Sequence, residues 1–198
     1  MPDALTIRPA TPNDAQSIAR IRVQGWRFAY QDLISQDYLD SLSVAEDTER
    51  MRGYLSQLPQ NSPPSRSASV QGSSDGEKRS FMLAARDDAV LGFCRFSAAP
   101  DKDDRVERAV PVGTLNGRLH SLYIDPETLG QGIGYTLMSH ALSTFAAWGC
   151  ERATLWVLEG NSRAISFYER QGWRCTGATK VDQSFGLCLV EHEMAVQL

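Results

Sequence analysis

The chain has 198 residues, enough for one domain with an insertion, and 42% of them are hydrophobic, enough for a sizeable core. Its formal charge is −4 and its pI about 5.4, which argues against a general nucleic-acid binder because such proteins need a basic face. The first residues, MPDALTIRPATPNDAQ, lack the apolar core of a signal peptide, and no apolar run approaches a membrane span of roughly 20 residues. A cytoplasmic protein without membrane or nucleic-acid partners is expected. Cys94, Cys150, Cys175 and Cys188 form no CxxC pair and read as reduced core residues. His120, His140 and His192 share no metal-ligand spacing with them, so no metal is expected.

Leu5–Arg8 alternates like a short strand, and Asn13 or Asp14 can cap the helix that follows, with Ile18, Ile21, Val23, Trp26 and Tyr30. Two further helical stretches carry Tyr38, Leu39 and Leu42, then residues 45–58. Residues 59–80 are rich in Pro, Ser and Gly and nearly free of apolar side chains. They read as a flexible insertion, with a mobile lid as the sharper alternative. Strands at 81–85 and 90–96 flank Arg86-Asp87-Asp88 as a hairpin, and 98–112 reads as a loop.

A strand at 119–124 is stopped by Asp125-Pro126. Gly130, Gly132 and Gly134 then lead into a helix whose Ile133, Leu137, Ala141, Phe145 and Trp148 share one face, with Gly149 as its left-handed cap. A strand at 153–158, a helix at 161–171 and strands at 173–176 and 187–195 complete the chain. The pattern is that of an α/β (α+β) fold: a mixed, mostly antiparallel sheet of about six to seven strands with helices on both faces, in one domain spanning 1–198.

The glycine turn is the most informative stretch. Glycines let a backbone approach a ligand closely, and a helix start leaves main-chain N–H groups unpaired, which suits a phosphate or diphosphate. A glycine-lubricated strand-to-helix turn explains the spacing equally well. A P-loop is excluded because Tyr135-Thr136, not Lys-Ser/Thr, follows Gly134. A Rossmann fingerprint is disfavoured by the GxGxG spacing and by the extra Pro126-Glu127-Thr128-Leu129 segment, despite Glu159 at the end of the next strand. Farther on, Asn161 and Tyr168 stand seven residues apart on one side of a short helix. Taken alone, Asn161 fits a helix N-cap and Tyr168 a packing residue.

Leu122-Tyr123-Ile124-Asp125-Pro126, Gly130-Gln131-Gly132-Ile133-Gly134, Asn161-Ser162-Arg163-Ala164 and Phe167-Tyr168-Glu169 with Gly172-Trp173 together resemble the GCN5-related N-acetyltransferases, the GNAT family. The resemblance is close from Leu119 to Trp173, and Ile7–Ala10 and Trp26–Tyr30 resemble that family's opening strand and first helix. It implies acetyl-CoA as acyl donor and an amine as acceptor; a homodimer is compatible with it. It implies that the main chain of Gly130, Gln131, Gly132, Ile133, Gly134 and Tyr135 cradles the diphosphate. By the same resemblance Leu122, Tyr123 and Ile124 pair with the pantetheine arm, Asn161 bonds its amide region, and Tyr168 protonates the departing thiolate. Leu129 stands where the family carries an arginine or glutamine, and Arg118 where many relatives carry a glutamate base. His120 is the nearest titratable substitute, and it reads equally as a strand residue. A water relay is a third route.

The chemistry is coherent. An amine of pKa near ~10.4 is only about 0.04% neutral at pH 7, so a base must help. A thiolate of pKa ~8.5 can take a proton from a tyrosine of pKa ~10 with modest tuning. Trp26, Tyr30 and Tyr38 could line an acceptor pocket or pack the core, and Trp156 shares that ambiguity. Two rivals remain: transfer of a longer acyl group, and a catalytically idle acyl-CoA sensor.

Overall fold

The computed structural model describes residues 4–58, 77–100, 115–183 and 187–198. Seven strands form a sheet in the order β1-β2-β3-β4-β5-β7-β6. The strands are β1 (Thr6–Pro9), β2 (Lys78–Arg86), β3 (Ala89–Pro100), β4 (Leu115–Ile124), β5 (Cys150–Leu158), β6 (Arg174–Asp182) and β7 (Leu189–Gln197). The helices are α1 (Ala15–Ala29), α2 (Gln36–Ser41), α3 (Val44–Gln57), α4 (Ile133–Ala147) and α5 (Ser162–Arg170). β4 and β5 run parallel, whereas the β1–β2, β5–β7 and β6–β7 pairs are antiparallel. The expected mixed sheet is therefore present.

The chain gathers into two compact units. Of the described residues, one comprises 4–58, 80–95 and 121–140; the other comprises 77–79, 96–100, 115–120, 141–183 and 187–198.

In the first unit, α1 turns Ala15, Ile18 and Ile21 onto Leu55 of α3 and onto Phe81, Leu83, Val90 and Phe93 of the sheet. Each large side chain removed from water there contributes roughly 1.5–3 kcal/mol. Asp14 precedes α1 but does not cap it. Its carboxylate accepts from the Thr11 amide and hydroxyl, at 2.8 Å each, and from Arg8 at 2.7 Å. Gly25 lies inside α1, where glycine costs about 1 kcal/mol relative to alanine. The ring of Tyr123 occupies the space so created, since a Cβ there would sit 3.1 Å from Tyr123 Cδ1. Tyr123 thus faces α1, while the Ile124 side chain lies against Gly92 together with Ile133 of α4. Successive strand residues point to opposite faces, so helices flank both faces of the sheet here.

In the second unit, Phe145 of α4 is fully buried against Phe96 of β3, with ring centroids 5.2 Å apart, and covers Gly117 of β4. A Cβ at Gly117 would lie 2.7 Å from Phe145 Cδ1. Gly117→Ala should therefore destabilise the protein by about 1–3 kcal/mol through overpacking. A thermal melt indistinguishable from wild type would contradict this packing. Gly149, at φ +84°, ends α4 as expected.

Several boundaries move. β2 starts at Lys78, inside the stretch expected to be an insertion, and Lys78 Nζ donates to the Trp148 carbonyl at 3.2 Å, at the carboxyl end of α4. Residues 59–76 of that stretch lie outside the described residues. β3 runs on to Pro100, so the expected loop starts later; residues 101–114 are likewise outside the described residues. β6 continues to Asp182, well past the expected Thr176, because a polar, mostly exposed sequence is no obstacle to a strand at the sheet's edge. The cysteines divide. Cys94 and Cys150 are buried, with burial pushing the Cys94 thiol up to about 12, but Cys175 and Cys188 are exposed rather than core residues.

Candidate active site

Within the first unit, β4 ends at Ile124 and the chain is pinned at once. Asp125, 4% exposed, pairs with Arg20 of α1 at 2.8 Å and accepts the Glu127 amide at 3.1 Å. A short 3-10 turn, Pro126–Thr128, then delivers Gly130 and Gly132 with φ of +83° and +78°. Both values lie in the left-handed region that side chains rarely adopt, and no atom lies within 4 Å of a Cβ built at either position. The Gly132 carbonyl accepts the Thr136 amide at 3.0 Å and so opens α4. Gly134 lies in the first turn of that helix and needs no such φ. The loop therefore has what a diphosphate requires: open space on the glycines and a helix start beside them. Ile133 is buried as an anchor, whereas the Tyr135 ring is 59% exposed.

The loop also has a cation that sequence reasoning missed. Arg86, at the end of β2, donates from Nη1 to Gln131 Oε1 at 3.3 Å. Only the three-dimensional hairpin brings residue 86 to residue 131, and no local pattern signals it. It supplies positive charge where Leu129 does not. The side chains of Leu122, Tyr123 and Ile124 are partly buried; Tyr123 Oη accepts from Trp26 Nε1 at 2.7 Å, and its ring packs on Phe93 with centroids 5.2 Å apart. Trp26 is 7% exposed and packs on Tyr30 and Tyr38, at 5.1 and 6.3 Å.

Within the second unit, the parallel β4–β5 ladder ends at the pair Leu119↔Leu155, although β5 continues to Leu158. Arg118 and His120 of β4 are exposed. His120 Nε2 lies 2.8 Å from Ser97 Oγ of β3, and Ser97 is 7% exposed. Glu77 completes the group. The Arg79 guanidinium, bonded at 2.7 Å, holds the Glu77 carboxyl below the usual carboxylate range against the opposing effect of burial. The charge of Arg79, the His120 ring and the Ser97 hydroxyl act in the same direction. Neither Ser97 nor Glu77 was foreseen: Ser97 sits in an apolar strand, and Glu77 in the Ser/Pro-rich stretch.

Asn161 is the N-cap of α5, its Oδ1 accepting the Ala164 amide at 3.1 Å, and it is 9% exposed. One carbonyl is thus committed to the helix, and Nδ2 is the atom left to serve a ligand carbonyl. Tyr168 is half-buried between Phe167 and the fully buried Trp173, at centroid distances of 5.5 and 6.2 Å. Trp156 lies under the Lys180 ammonium, 4.8 Å from the ring centroid. Among the described residues no cluster of three or more His, Cys, Asp and Glu has metal-binding geometry, and no helix is long and apolar enough to cross a membrane.

The model of the acetyltransferase (GNAT) family matches residues 34–173. The chain belongs to the GNAT acetyltransferase family. It is similar to the uncharacterized N-acetyltransferase YuaI of Bacillus subtilis, with 25% identity over 167 residues that cover 83% of this chain and 78% of YuaI. Peptidyl-lysine N-acetyltransferase YjaB of Escherichia coli is 39% identical over 79 residues, which cover 38% of this chain and half of YjaB. The fold is shared with the PaiA N-acetyltransferase of Thermoplasma acidophilum, solved in complex with coenzyme A. That likeness has a TM-score of 0.60 at 20% identity and covers 98% of this chain and 99% of PaiA. This GNAT chain is accordingly an N-acetyltransferase, of a family whose acyl donor is acetyl-CoA.

Proposed function

We propose that the protein is a single-domain, cytoplasmic enzyme that binds acetyl-CoA on the Gly130–Tyr135 loop and transfers its acetyl group to a primary amine of a small molecule or protein. The observation that carries this reading is the loop itself: two glycines in left-handed geometry at the start of α4, with nothing packed on them and Arg86 alongside. A bound donor would supply an acetyl group activated as a thioester. The main-chain N–H groups from Gly130 to Tyr135 would hold its diphosphate, and the backbone of Leu122, Tyr123 and Ile124 its pantetheine arm. Asn161 Nδ2 would donate to an amide carbonyl of that arm.

Tyr168 is assigned as the proton donor to the departing sulfur. His120 is assigned as the base that relieves the acceptor ammonium of its proton. In the neutral tautomer whose Nε2 proton is directed at Ser97 Oγ, the ring's lone pair would lie on Nδ1, and Ser97 can pass its own hydroxyl hydrogen bond to the ionised Glu77. A base works only when deprotonated, so turnover should fall on the acidic side of the histidine's titration. His120→Ala should lower kcat/KM by about 10²-fold or more and flatten that acidic limb. A variant that keeps the limb would remove His120 from this role and leave a water relay.

The direct test is a thiol-release assay with acetyl-CoA across an amine library, beside calorimetric titration of the donor alone. Donor binding without thiol release on any amine would count against the transfer reading.

A further inference from the structure

Three arginines of the first unit converge on the tyrosines beside β4. Arg22 of α1 and Arg50 of α3 both bond the same oxygen of Asp47, Oδ1, with Arg22 at 3.0 Å, so one carboxylate serves two cations. Asp47 is 3% exposed, and its other oxygen is sealed from solvent without a donor. Arg95 of β3 lies over the Tyr54 ring, 5.4 Å from its centroid; its Nε is buried without an acceptor, and among the described residues it forms no ion pair. Among the described residues, exposed Glu46 is the one other carboxylate acting on Arg50, whose pKa burial and the nearby Arg22 push down. Arg22 and Arg50 act on Tyr38, and Arg22 and Arg95 on Tyr123, the residue whose main chain is assigned to the donor.

Aromatic rings normally attract an ammonium through their faces. Here Arg22, 5.1 Å from the Trp26 ring, and Arg95 on Tyr54 already take up that attraction. An acceptor bearing only positive charge, such as a polyamine or a lysine in a basic peptide, would meet repulsion. A half-buried guanidinium whose Nε lacks an acceptor calls instead for an oxyanion, which it binds through charge-assisted hydrogen bonds.

We infer that the acceptor is a small primary amine carrying its own oxyanion, an aminocarboxylate or aminophosphonate, and that Arg95, with Arg50, receives that group. This rests on the acetyltransferase reading above. Guanidinium charge beside the acceptor also disfavours its ammonium form and so eases its deprotonation.

The test compares kcat/KM at saturating acetyl-CoA for L-amino acids, their C-terminal amides, aminoalkylphosphonates, spermidine and a lysyl peptide. Anionic amines should exceed the matched amides by about 10- to 100-fold, expressed in KM, the range of a lost charged hydrogen bond. The better of the carboxylate and phosphonate series identifies the oxyanion. Arg95→Gln should collapse the difference and Arg95→Lys restore part of it, with melting temperature confirming that both variants fold. The inference is overturned if amides, spermidine or the peptide match the anionic amines, if no anionic amine is acetylated, or if folded Arg95→Gln keeps the preference. Loss of acetyl-CoA binding in the parent protein, read by calorimetry, would instead mark failure of the donor assignment.

Discussion

Gly132→Glu should leave the protein folded and weaken acetyl-CoA binding by at least about 100-fold, equivalent to roughly 2.7 kcal/mol. The backbone cost is modest: a non-glycine residue at φ +78° pays about 1–2 kcal/mol, and no neighbour lies within 4 Å of the new Cβ. The cost falls on the ligand instead. The side chain would project into the open space on the loop, and its carboxylate would oppose a diphosphate where main-chain N–H groups should meet it. Calorimetry with acetyl-CoA, together with a melting curve, separates the two effects. A folded variant with undiminished affinity would show that the diphosphate does not lie on this loop. Gly134→Ala makes a useful contrast. Gly134 sits in the first turn of α4 without a positive φ, so the backbone itself tolerates a methyl group.

Tyr168→Phe should lower kcat by about 10²- to 10⁴-fold, the usual contribution of a positioned acid, while acetyl-CoA affinity changes little. The substitution keeps the ring that packs against Phe167 and Trp173 and removes only the hydroxyl. A structural role would instead appear as a lower melting temperature with a proportionate loss of binding. Unchanged turnover would end the proton-donor assignment. A leaving group of lower pKa gives a second readout. An acetyl donor whose thiol is more acidic needs less protonation, and its turnover should suffer less from the loss of the phenol.

The parts of the fold legible in the sequence were those written in local periodicity. The spacing of Ile133, Leu137, Ala141 and Phe145 gave α4 and its buried face, and Gly149 gave its end. The strands 81–85 and 90–96 were legible as short, mostly apolar runs around a two-aspartate turn, where Asp87 adopts φ +52°. Strand ends were less legible because pairing partners, not propensity, extend a strand. β6 carries polar residues to Asp182 because β7 offers it a ladder through Leu189. Asp14 shows the same limit: its type suits a cap, but Arg8 and Thr11 claim it. In the site, glycine spacing pointed to the loop, yet the side chains that modify it come from distant strands. Arg86, Ser97 and Glu77 meet their partners across the sheet, and no one-dimensional spacing encodes such meetings. Asn161 was ambiguous between cap and ligand, and its two polar atoms allow both, since Oδ1 holds the helix and Nδ2 is a separate donor.

Tyr123 is wedged between Gly25, Phe93 and the indole nitrogen of Trp26, so its backbone cannot shift without dragging its ring. If the donor binds along that backbone and the acceptor around that ring, as proposed, the two substrates would share one rigid lever. Whatever factor the first to arrive imposes on the second's affinity, the second must return in equal measure.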